Sequence, residues 1–355
     1  MTKKILLITP NLNIGGAQKV LLSIAKYFNE NKNIHVCLLV INRGVTRQKI
    51  PENINVKHLN CRRTIYSIFP LFYFIKQNNP THILSTLNYI NFIMLILKVF
   101  LPKGITYIVR EAGIVTKFLE SKRFSFMWRM MYNVLYPTAD KIICQSDFME
   151  KDLNTIINVK KNKLHKIYNP INLDTINEID KNEMVPFRTN KLNIVSCSRL
   201  VHDKKLGFLI ERFSELVRKN KDAHLWILGD GPAKNDLIDT INKLNIYENV
   251  HLVGYKKNPI MWFKLCDLFI FTSNHEGFPN VLLEALASKC PTISLAHPGG
   301  TIEIFEKLKI MDRWVNDISW NDKWFKKMNP GYFELLKNNF GEKVIMEKYF
   351  NLFNS

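Results

Sequence analysis

The chain has 355 residues, of which 46% are hydrophobic and 23% are charged, a composition that is typical of globular proteins and excludes a disordered or fibrous chain. Because one hydrophobic core rarely serves more than roughly 250–300 residues, this length predicts two domains. The formal net charge of +19 predicts a positive field that attracts nucleic acids, anionic lipids or phosphorylated substrates, without selecting among them.

Apolar runs of strand length alternate with longer helical patterns through both halves of the chain. The first half contains the predicted strands Lys4–Thr9, His35–Ile41, His82–Ser85, Ile105–Val109 and Lys141–Cys144, with helices such as Ala17–Tyr27 and Asn91–Phe100 between them. After a polar stretch from Asn172 to Asn190, the second half contains the predicted strands Leu192–Cys197, His224–Leu228, Val250–Val253, Leu268–Thr272 and Thr292–Leu295, with helices such as Leu206–Arg218 and Val281–Ser288. This alternation predicts two doubly wound α/β domains with parallel sheets. In such sheets ligands bind at the carboxyl ends of the strands.

Three features of the sequence favour a cytoplasmic protein, either soluble or peripheral on the inner face of the cell membrane. The longest apolar run, from Ile90 to Leu101, is interrupted by Asn91 and Lys98 and is shorter than the roughly 20 residues that a membrane-spanning helix needs. The N-terminal apolar segment is too short for a signal peptide, and no small-residue cleavage site follows it. The six cysteines form no Cys-x-x-Cys pair, so neither a disulfide framework nor a zinc site is expected.

The most informative segment follows the predicted strand that ends near residue 273. Gly277 permits a tight turn, and Pro279 suits the first turn of a helix. The free amides at such a helix start attract an anion. Glu284 lies roughly 7 Å further along the helix axis, where its carboxylate can accept two hydrogen bonds from a sugar diol, and Glu276 would face the group on the other side of a diphosphate. The alternative interpretation is a loop glutamate and a solvated helix position.

A second segment, between a predicted strand and an amphipathic helix, contains Arg199 and Lys204. Two fixed cations can balance a diphosphate leaving group without a metal ion. Lys205 replaces Lys204 if the loop is shorter, and the alternative interpretation is a solvated surface pair.

Two glycine-containing loops also follow predicted strands. Gly229 and Gly231 would let the backbone approach a nucleotide closely, although glycines also mark ordinary turns. The loop from Ala296 to Glu303 is a further candidate contact to phosphate or sugar.

These residues resemble the retaining glycosyltransferases of family 4, a GT-B group that acts on sugar nucleotides. The matching residues are Gly15-Gly16-Ala17-Gln18, Asn169-Pro170-Ile171, Ser198-Arg199-Leu200 with Lys204, Gly229-Asp230-Gly231-Pro232, the pair Glu276-x7-Glu284, and Gly299-Gly300 with Glu303. The resemblance implies two Rossmann-like doubly wound parallel-sheet domains that face a central cleft. On this basis we expect an acceptor-binding domain at 1–171, joined by a C-terminal helix at about 338–355, a linker at 172–190, and a donor-binding domain at 191–337.

The resemblance also implies a role for each matching residue. Arg199 and Lys204 would hold the donor diphosphate, Glu284 the ribose, and Glu276 the sugar hydroxyls near the reacting carbon. Further donor contacts are implied for Gly15, Gly16, Gly229, Gly231, Gly277, Phe278, Pro279, Asn280 and Val281. The chain contains no Asp-x-Asp sequence, and the family implies neither a metal nor another cofactor.

The implied reaction is retaining transfer of a hexose or N-acetylhexosamine from a UDP- or GDP-sugar to a saccharide or lipid-linked acceptor, in synthesis of cell-envelope polysaccharide, lipopolysaccharide or capsule. A non-catalytic sugar-nucleotide-binding paralogue and a GT-B sugar-nucleotide epimerase are the alternatives. Nucleic acid is not an expected partner, because the chain has no recognition-helix pattern and no strands with interleaved aromatic residues.

Two segments depart from the family pattern. Many relatives have a histidine after the fourth or fifth N-terminal strand, where this chain reads Arg110-Glu-Ala-Gly113, so we expect Arg110 or Glu111 to contact the acceptor there. Residues 306–327 contain Trp314, Trp320 and Trp324 in place of a glycine-rich turn and strand, which predicts a shortened or divergent edge of the donor domain.

The segment from Ser121 to Tyr132 mixes cations with aromatic and methionine residues at helical spacing. This pattern is typical of a helix that lies on an anionic membrane surface, and equally of a core helix with a few exposed cations. The net charge favours the membrane interpretation and, with it, a lipid-linked acceptor or lipopolysaccharide.

Overall fold

The computed structural model describes residues 3–13, 15–30, 33–43, 50, 53–177 and 184–355. The chain divides into two compact units: unit 1 comprises Met1–Pro170 and Glu342–Ser355, and unit 2 comprises Ile171–Gly341. Residues 178–183 of the predicted linker lie outside the described residues, and its first part forms a short helix, Leu173–Asn177. No helix in the described ranges is both long and apolar enough to cross a membrane.

Seven strands in the described part of unit 1 form one parallel sheet with the order β3-β2-β1-β4-β5-β6-β7. The strands are β1 Lys3–Thr9, β2 Ile34–Asn42, β3 Asn55–Cys61, β4 His82–Thr86, β5 Thr106–Arg110, β6 Lys141–Cys144 and β7 Leu164–Lys166. The helices are α1 Gly16–Asn29, α2 Ile68–Asn78, α3 Asn88–Lys98, α4 Val115–Glu120, α5 Ser125–Leu135, α6 Asp147–Asn154 and, from the end of the chain, α14 Glu342–Asn354.

The central strands of this sheet are apolar along most of their length because helices cover both faces. Residues 5–9 of β1 are all buried. The side chains of α2 and α3 pack with β1 and β4 in one core cluster. Helix α14 packs on α1, where the rings of Phe28 and Phe353 meet edge to face at 5.1 Å. The last helix of the chain therefore completes unit 1.

Six strands in the described part of unit 2 form a second parallel sheet with the order β10-β9-β8-β11-β12-β13. The strands are β8 Leu192–Cys197, β9 Ala223–Leu228, β10 Val250–Gly254, β11 Leu268–Phe271, β12 Thr292–Leu295 and β13 Trp314–Val315. The helices are α7 Leu173–Asn177, α8 Leu206–Lys219, α9 Lys234–Lys243, α10 Ile260–Leu265, α11 Asn280–Ala287, α12 Thr301–Leu308 and α13 Gly331–Phe340. In α8 the buried residues Leu206, Leu209, Ile210 and Phe213 recur at helical spacing and form the stripe that faces the sheet.

The predicted two-sheet α/β architecture is confirmed, and each of the ten predicted strands is present within one residue of its predicted ends. The strands that the sequence analysis missed are β3, β7 and β13, all at or near a sheet edge. β3 is polar and mostly exposed, so it shows no apolar run, while β7 and β13 have only three and two residues.

The tryptophan-rich segment forms the edge of unit 2 beside β13. Trp324 is 3% exposed, and the indole of Trp320 donates a hydrogen bond to the carbonyl of Arg212 at 2.7 Å. The segment thus ends the sheet with a very short strand and covers the core with indole rings.

Candidate functional site

The strand order of unit 2 reverses between β8 and β11, which are neighbours in the sheet but not consecutive in the chain. In doubly wound sheets ligands bind at such a reversal, outside the carboxyl ends of the strands. The loop after β8 contains Arg199 and Lys204, and the loop after β11 contains Glu276. The structure therefore brings Lys204 and Glu276 into contact and places Arg199 in the same loop as Lys204.

Hydrogen bonds join these two loops directly. The Thr272 hydroxyl donates to the backbone carbonyl of Lys204 at 2.7 Å, and the amide of Asn274 donates to the carbonyl of Asp203 at 2.7 Å. The Lys204 ammonium forms an ion pair with the Glu276 carboxylate, and these two side chains are 19% and 20% exposed. Both groups are thus fixed by the protein and remain in contact with solvent.

The Glu276 loop is held from its other side by the loop after β12. The Ser273 hydroxyl donates to the Glu276 carboxylate at 2.8 Å, and the amide of Gly300 donates to the Glu276 carbonyl at 3.1 Å. Gly299 has a φ of +135°, and a Cβ there would lie 1.9 Å from the Glu276 carbonyl oxygen. Only glycine permits this approach. The observed role of Gly299 and Gly300 is therefore to hold Glu276 in place.

His297 in the same loop is buried and held at both ring nitrogens. Its Nδ1 lies 2.8 Å from the Leu295 carbonyl and its Nε2 lies 2.9 Å from the Thr301 hydroxyl. Because a carbonyl can only accept, Nδ1 carries the proton and the neutral ring accepts at Nε2. Burial lowers the pKa of His297, outweighing the opposing effect of the Leu295 carbonyl. His297 is thus a neutral support for this loop, a role that the sequence analysis did not assign.

The side chain of Arg199 is exposed, and its loop packs against the glycine loop after β9. A Cβ on Gly229, where φ is +141°, would lie 1.8 Å from the Ser198 carbonyl oxygen, and one on Gly231 would lie 2.4 Å from the Leu200 carbonyl oxygen. The approach of the two loops therefore accounts for both glycines. The predicted contact of Gly229 and Gly231 with a nucleotide stays a prediction.

Helix α11 begins at Asn280, and Pro279 is its N-cap. Pro279 was predicted in the first turn of the helix and lies one residue before that turn. Pro279 offers no side-chain acceptor to the first amides of the helix, which leaves this end electropositive. Phe278 is buried and packs against Phe340 of α13 at 5.6 Å between ring centroids, which anchors the turn. Glu284 lies half-buried in the second turn of the helix.

The remaining predicted donor contacts of unit 2 are Gly277, which is buried, and Val281, which is half-buried. Gly277 is not among the described residues with positive φ, so its backbone conformation does not require glycine. The contacts implied for both residues stay predictions.

The corresponding reversal in unit 1 lies between β1 and β4. Gly15 caps α1 in an extended conformation and Gly16 begins the helix. At the end of β4, Leu87 has φ 74° and ψ 133°, a conformation that is strained for a side chain with a Cβ. The sequence contains no signal for this strain. The predicted contact of Gly15 and Gly16 with a donor stays a prediction.

Arg110 and Glu111, the predicted acceptor contacts, lie inside unit 1 with exposures of 0% and 1%. The Arg110 guanidinium donates to the Asn169 side-chain oxygen at 2.5 Å and to the Tyr349 hydroxyl at 3.1 Å. These bonds connect the end of β5 to α14 and to the segment that leads out of unit 1. We therefore revise the expectation that Arg110 faces an acceptor, because its donors are engaged within the core.

Glu111 is a buried carboxyl group with one oxygen unpaired. Its Oε1 accepts a hydrogen bond from the Tyr136 hydroxyl, while its Oε2 is buried with no hydrogen-bond partner among the described residues. Burial raises the pKa of Glu111 to about 7, and the neighbouring side chains of Tyr136, Asn91 and Tyr132 oppose this only in part. Because the carboxyl group of Glu111 is buried, it does not contact an acceptor substrate that arrives from solution.

Two family models match consecutive parts of the chain. Residues 14–175 match the family model described as Glycosyltransferase Family 4, and residues 178–327 match the model described as Glycosyl transferases group 1. The two matches lie one after the other along the chain.

Two relatives and one solved structure illustrate the similarity. The chain is 33% identical over 227 residues, 62% of its length, to the uncharacterized glycosyltransferase MJ1059 of Methanocaldococcus jannaschii, and the match spans only 55% of that protein. It is 28% identical over 306 residues to the N-acetylgalactosamine-N,N'-diacetylbacillosaminyl-diphospho-undecaprenol 4-alpha-N-acetylgalactosaminyltransferase of Campylobacter jejuni, covering 83% of this chain and 81% of the relative. The crystal structure of Anabaena HepE in complex with UDP superposes with a TM-score of 0.78 at 16% identity, covering 99% of each chain, which shows the GT-B fold. These matches support the assignment of this chain as a GT-B glycosyltransferase of the family 4 type.

Proposed function

We propose that the protein transfers a hexose or N-acetylhexosamine from a nucleotide-diphosphate sugar to a saccharide or lipid-linked acceptor, with retention of anomeric configuration and without a metal ion. The observation that carries the proposal is the ion pair between Lys204 and Glu276, with the exposed Arg199 in the same loop as Lys204, at the point where the strand order of unit 2 reverses.

The proposed mechanism depends on fixed charge at the carboxyl end of this sheet. A bound donor diphosphate replaces Glu276 as the ion-pair partner of Lys204 and also contacts Arg199. Both cations then offset the negative charge that grows as the bond between the anomeric carbon and the phosphate oxygen breaks. Glu276 is then free to accept hydrogen bonds from the sugar hydroxyls, and Glu284 binds the ribose. The acceptor oxygen bonds to the anomeric carbon on the face that the diphosphate leaves, and its proton passes to the leaving phosphate oxygen.

The names of similar proteins support a role in cell-envelope polysaccharide synthesis. They include an amylovoran biosynthesis glycosyltransferase of Erwinia amylovora and a capsular polysaccharide biosynthesis glycosyltransferase of Staphylococcus aureus. The structure of HepE with UDP and glucose favours UDP over GDP as the nucleotide of the donor. We propose the cytoplasm as the compartment of the reaction.

A nucleotide-release assay with a panel of UDP- and GDP-sugars tests this proposal, first without acceptor and then with candidate saccharides. We expect slow donor hydrolysis that an acceptor accelerates, an unchanged rate in EDTA, and an α-linked product from an α-linked donor by NMR. Binding without release of nucleotide would indicate the non-catalytic paralogue, and inversion at the anomeric carbon or activity only with added Mg²⁺ or Mn²⁺ would contradict the mechanism.

A further inference from the structure

Exposed apolar side chains are concentrated in one part of unit 1. Of the large apolar side chains exposed in the described ranges, thirteen lie between Ile65 and Val134, and six lie in the rest of the chain. Single exposed apolar residues are normal, but a contiguous group of this kind marks a surface that another body covers.

Helices α2, α3 and α5 carry most of these residues and form one layer on the sheet of unit 1. Helix α3 contacts α2 on one side and α5 on the other. One flank of α3 packs with α2 through Ile93 and Leu97, and its other flank packs with α5, where Phe92 meets Tyr132 at 4.9 Å between ring centroids. The faces of the three helices that point away from the sheet therefore lie side by side, and we call them the outer helix face.

The outer helix face is apolar along each helix. The α5 residues Phe126, Met130 and Val134 are 78%, 52% and 62% exposed, and their spacing of four places them on one side of the helix. On α2, Phe69 and Tyr73 are 75% and 61% exposed at the same spacing. Tyr73 touches only the edge of its neighbour Phe72 among the ring contacts of the described residues, whereas the buried Tyr132 on the opposite side of α5 belongs to the core. The core-helix interpretation of residues 121–132 therefore accounts for the inner side of α5 and does not explain the exposed apolar side chains on its outer side.

Positive charge surrounds this apolar face. The segment from Arg62 to Leu135 contains ten Lys and Arg residues and two acidic residues. The buried Arg110 and Glu111 do not contribute to the surface, which leaves nine cations and one carboxylate in the segment. Of these cations, Lys98 pairs with Asp140 and Lys117 with Glu120. Arg123 and Arg129 are exposed beside Phe126. Apolar side chains between exposed cations complement a bilayer, because the apolar groups enter the acyl boundary while the cations meet anionic head groups.

We propose that the outer helix face docks on the surface of an anionic lipid bilayer, with α2 and α5 lying in the interface and Phe69 and Phe126 inserted among the acyl chains. This interaction uses unit 1 alone and does not depend on the donor chemistry proposed for unit 2. A lipid-linked acceptor would meet the protein at this surface.

Vesicle flotation tests the proposal with the full chain. The wild-type protein is mixed with vesicles of phosphatidylcholine alone or with about one third phosphatidylglycerol, at low and at high salt, and the bound fraction is measured. Phe69→Ser with Phe126→Ser removes inserted groups, and Arg123→Glu with Arg129→Glu reverses charge. The matched controls are Tyr247→Ser with Leu265→Ser, which are exposed apolar positions of unit 2, and Arg218→Glu with Lys219→Glu at the exposed end of α8.

The proposal predicts binding to the anionic vesicles only, weakened by salt because ions screen the charges. We expect at least about tenfold weaker partitioning for the Phe pair and for the Arg pair, with both control pairs like wild type. No binding at low salt, equal binding to neutral vesicles, or equal losses in the controls would overturn it. Light scattering of the free protein provides a second test: a dimer that the Phe69→Ser, Phe126→Ser variant disperses would assign this face to a second copy of the chain. Donor hydrolysis without vesicles reports on the proposed function separately.

Discussion

The buried carboxyl of Glu111 makes the stability of unit 1 depend on pH in a direction that the structure specifies. Burial raises its pKa from 4.5 to about 7, and a difference of about 2.5 units corresponds to about 3 kcal/mol. Because the folded state holds this proton more tightly than the unfolded state does, the stabilisation is fully present below pH 4.5 and is lost as the pH rises through 7. Ionisation leaves a buried charge whose Oε2 has no partner among the described residues.

The substitution Glu111→Gln removes this titration while keeping the shape of the side chain and an oxygen that accepts from Tyr136. We expect the unfolding free energy of wild type relative to Glu111→Gln to fall by about 3 kcal/mol between pH 4.5 and pH 8.5. Urea unfolding followed by far-UV circular dichroism at several pH values measures this difference, and the transition that the variant shifts is the one that belongs to unit 1. Glu120→Gln is the matched control, since Glu120 is 62% exposed beside Lys117. Parallel pH profiles for wild type and Glu111→Gln would refute the reasoning, because they would mean that Glu111 titrates as it does in water.

Two further substitutions test the roles that the structure gives to a glycine and to a buried arginine. Gly299→Ala places a Cβ against the Glu276 carbonyl at a positive φ, so we expect a loss of about 1–3 kcal/mol in thermal unfolding measurements together with a loss of turnover. In the control Gly207→Ala, a Cβ meets no atom within 4 Å, so thermal stability and turnover should stay at or above the wild-type level. Equal effects of the two substitutions would contradict the role of Gly299 in holding Glu276. Arg110→Ala removes the hydrogen bonds that the guanidinium donates to the buried oxygens of Asn169 and Tyr349, and we expect a loss of about 3 kcal/mol in urea unfolding. If Arg110→Ala instead kept the wild-type stability but lost transfer activity, the result would support the earlier expectation that Arg110 contacts the acceptor.

The strands of both sheets were predictable because buried parallel strands read as continuous apolar runs. The edge strands β3, β7 and β13 were not, since polar or very short segments carry no such pattern. The three charged residues of the candidate site were also predictable, because each lies in a loop that follows a strand, where doubly wound sheets bind ligands.

Roles that depend on which groups meet in space could not be predicted from the sequence. The nucleotide contact of Gly229 and Gly231 stays a prediction, but the sequence did not indicate that a Cβ at either position would meet the backbone of the Arg199 loop. The polar residues Arg110 and Glu111 lie at the end of a strand as site residues do, yet they are buried against Tyr349 of α14 and against Tyr136, which directly follows α5. The pairing of Lys204 with Glu276 joins residues 72 positions apart, and no local pattern reveals it.

The most direct test of the account is the affinity of the protein for UDP and GDP, measured by isothermal titration calorimetry in EDTA for wild type, Arg199→Ala, Lys204→Ala and the control Arg218→Ala. The account predicts that one nucleotide binds to wild type and to the control with equal affinity, and that each of the other two variants binds it about 10- to 100-fold more weakly, as expected for loss of a hydrogen bond to a charged group. Unchanged affinity in both Arg199→Ala and Lys204→Ala, or binding that EDTA abolishes, would contradict the claim that these two cations hold the donor diphosphate.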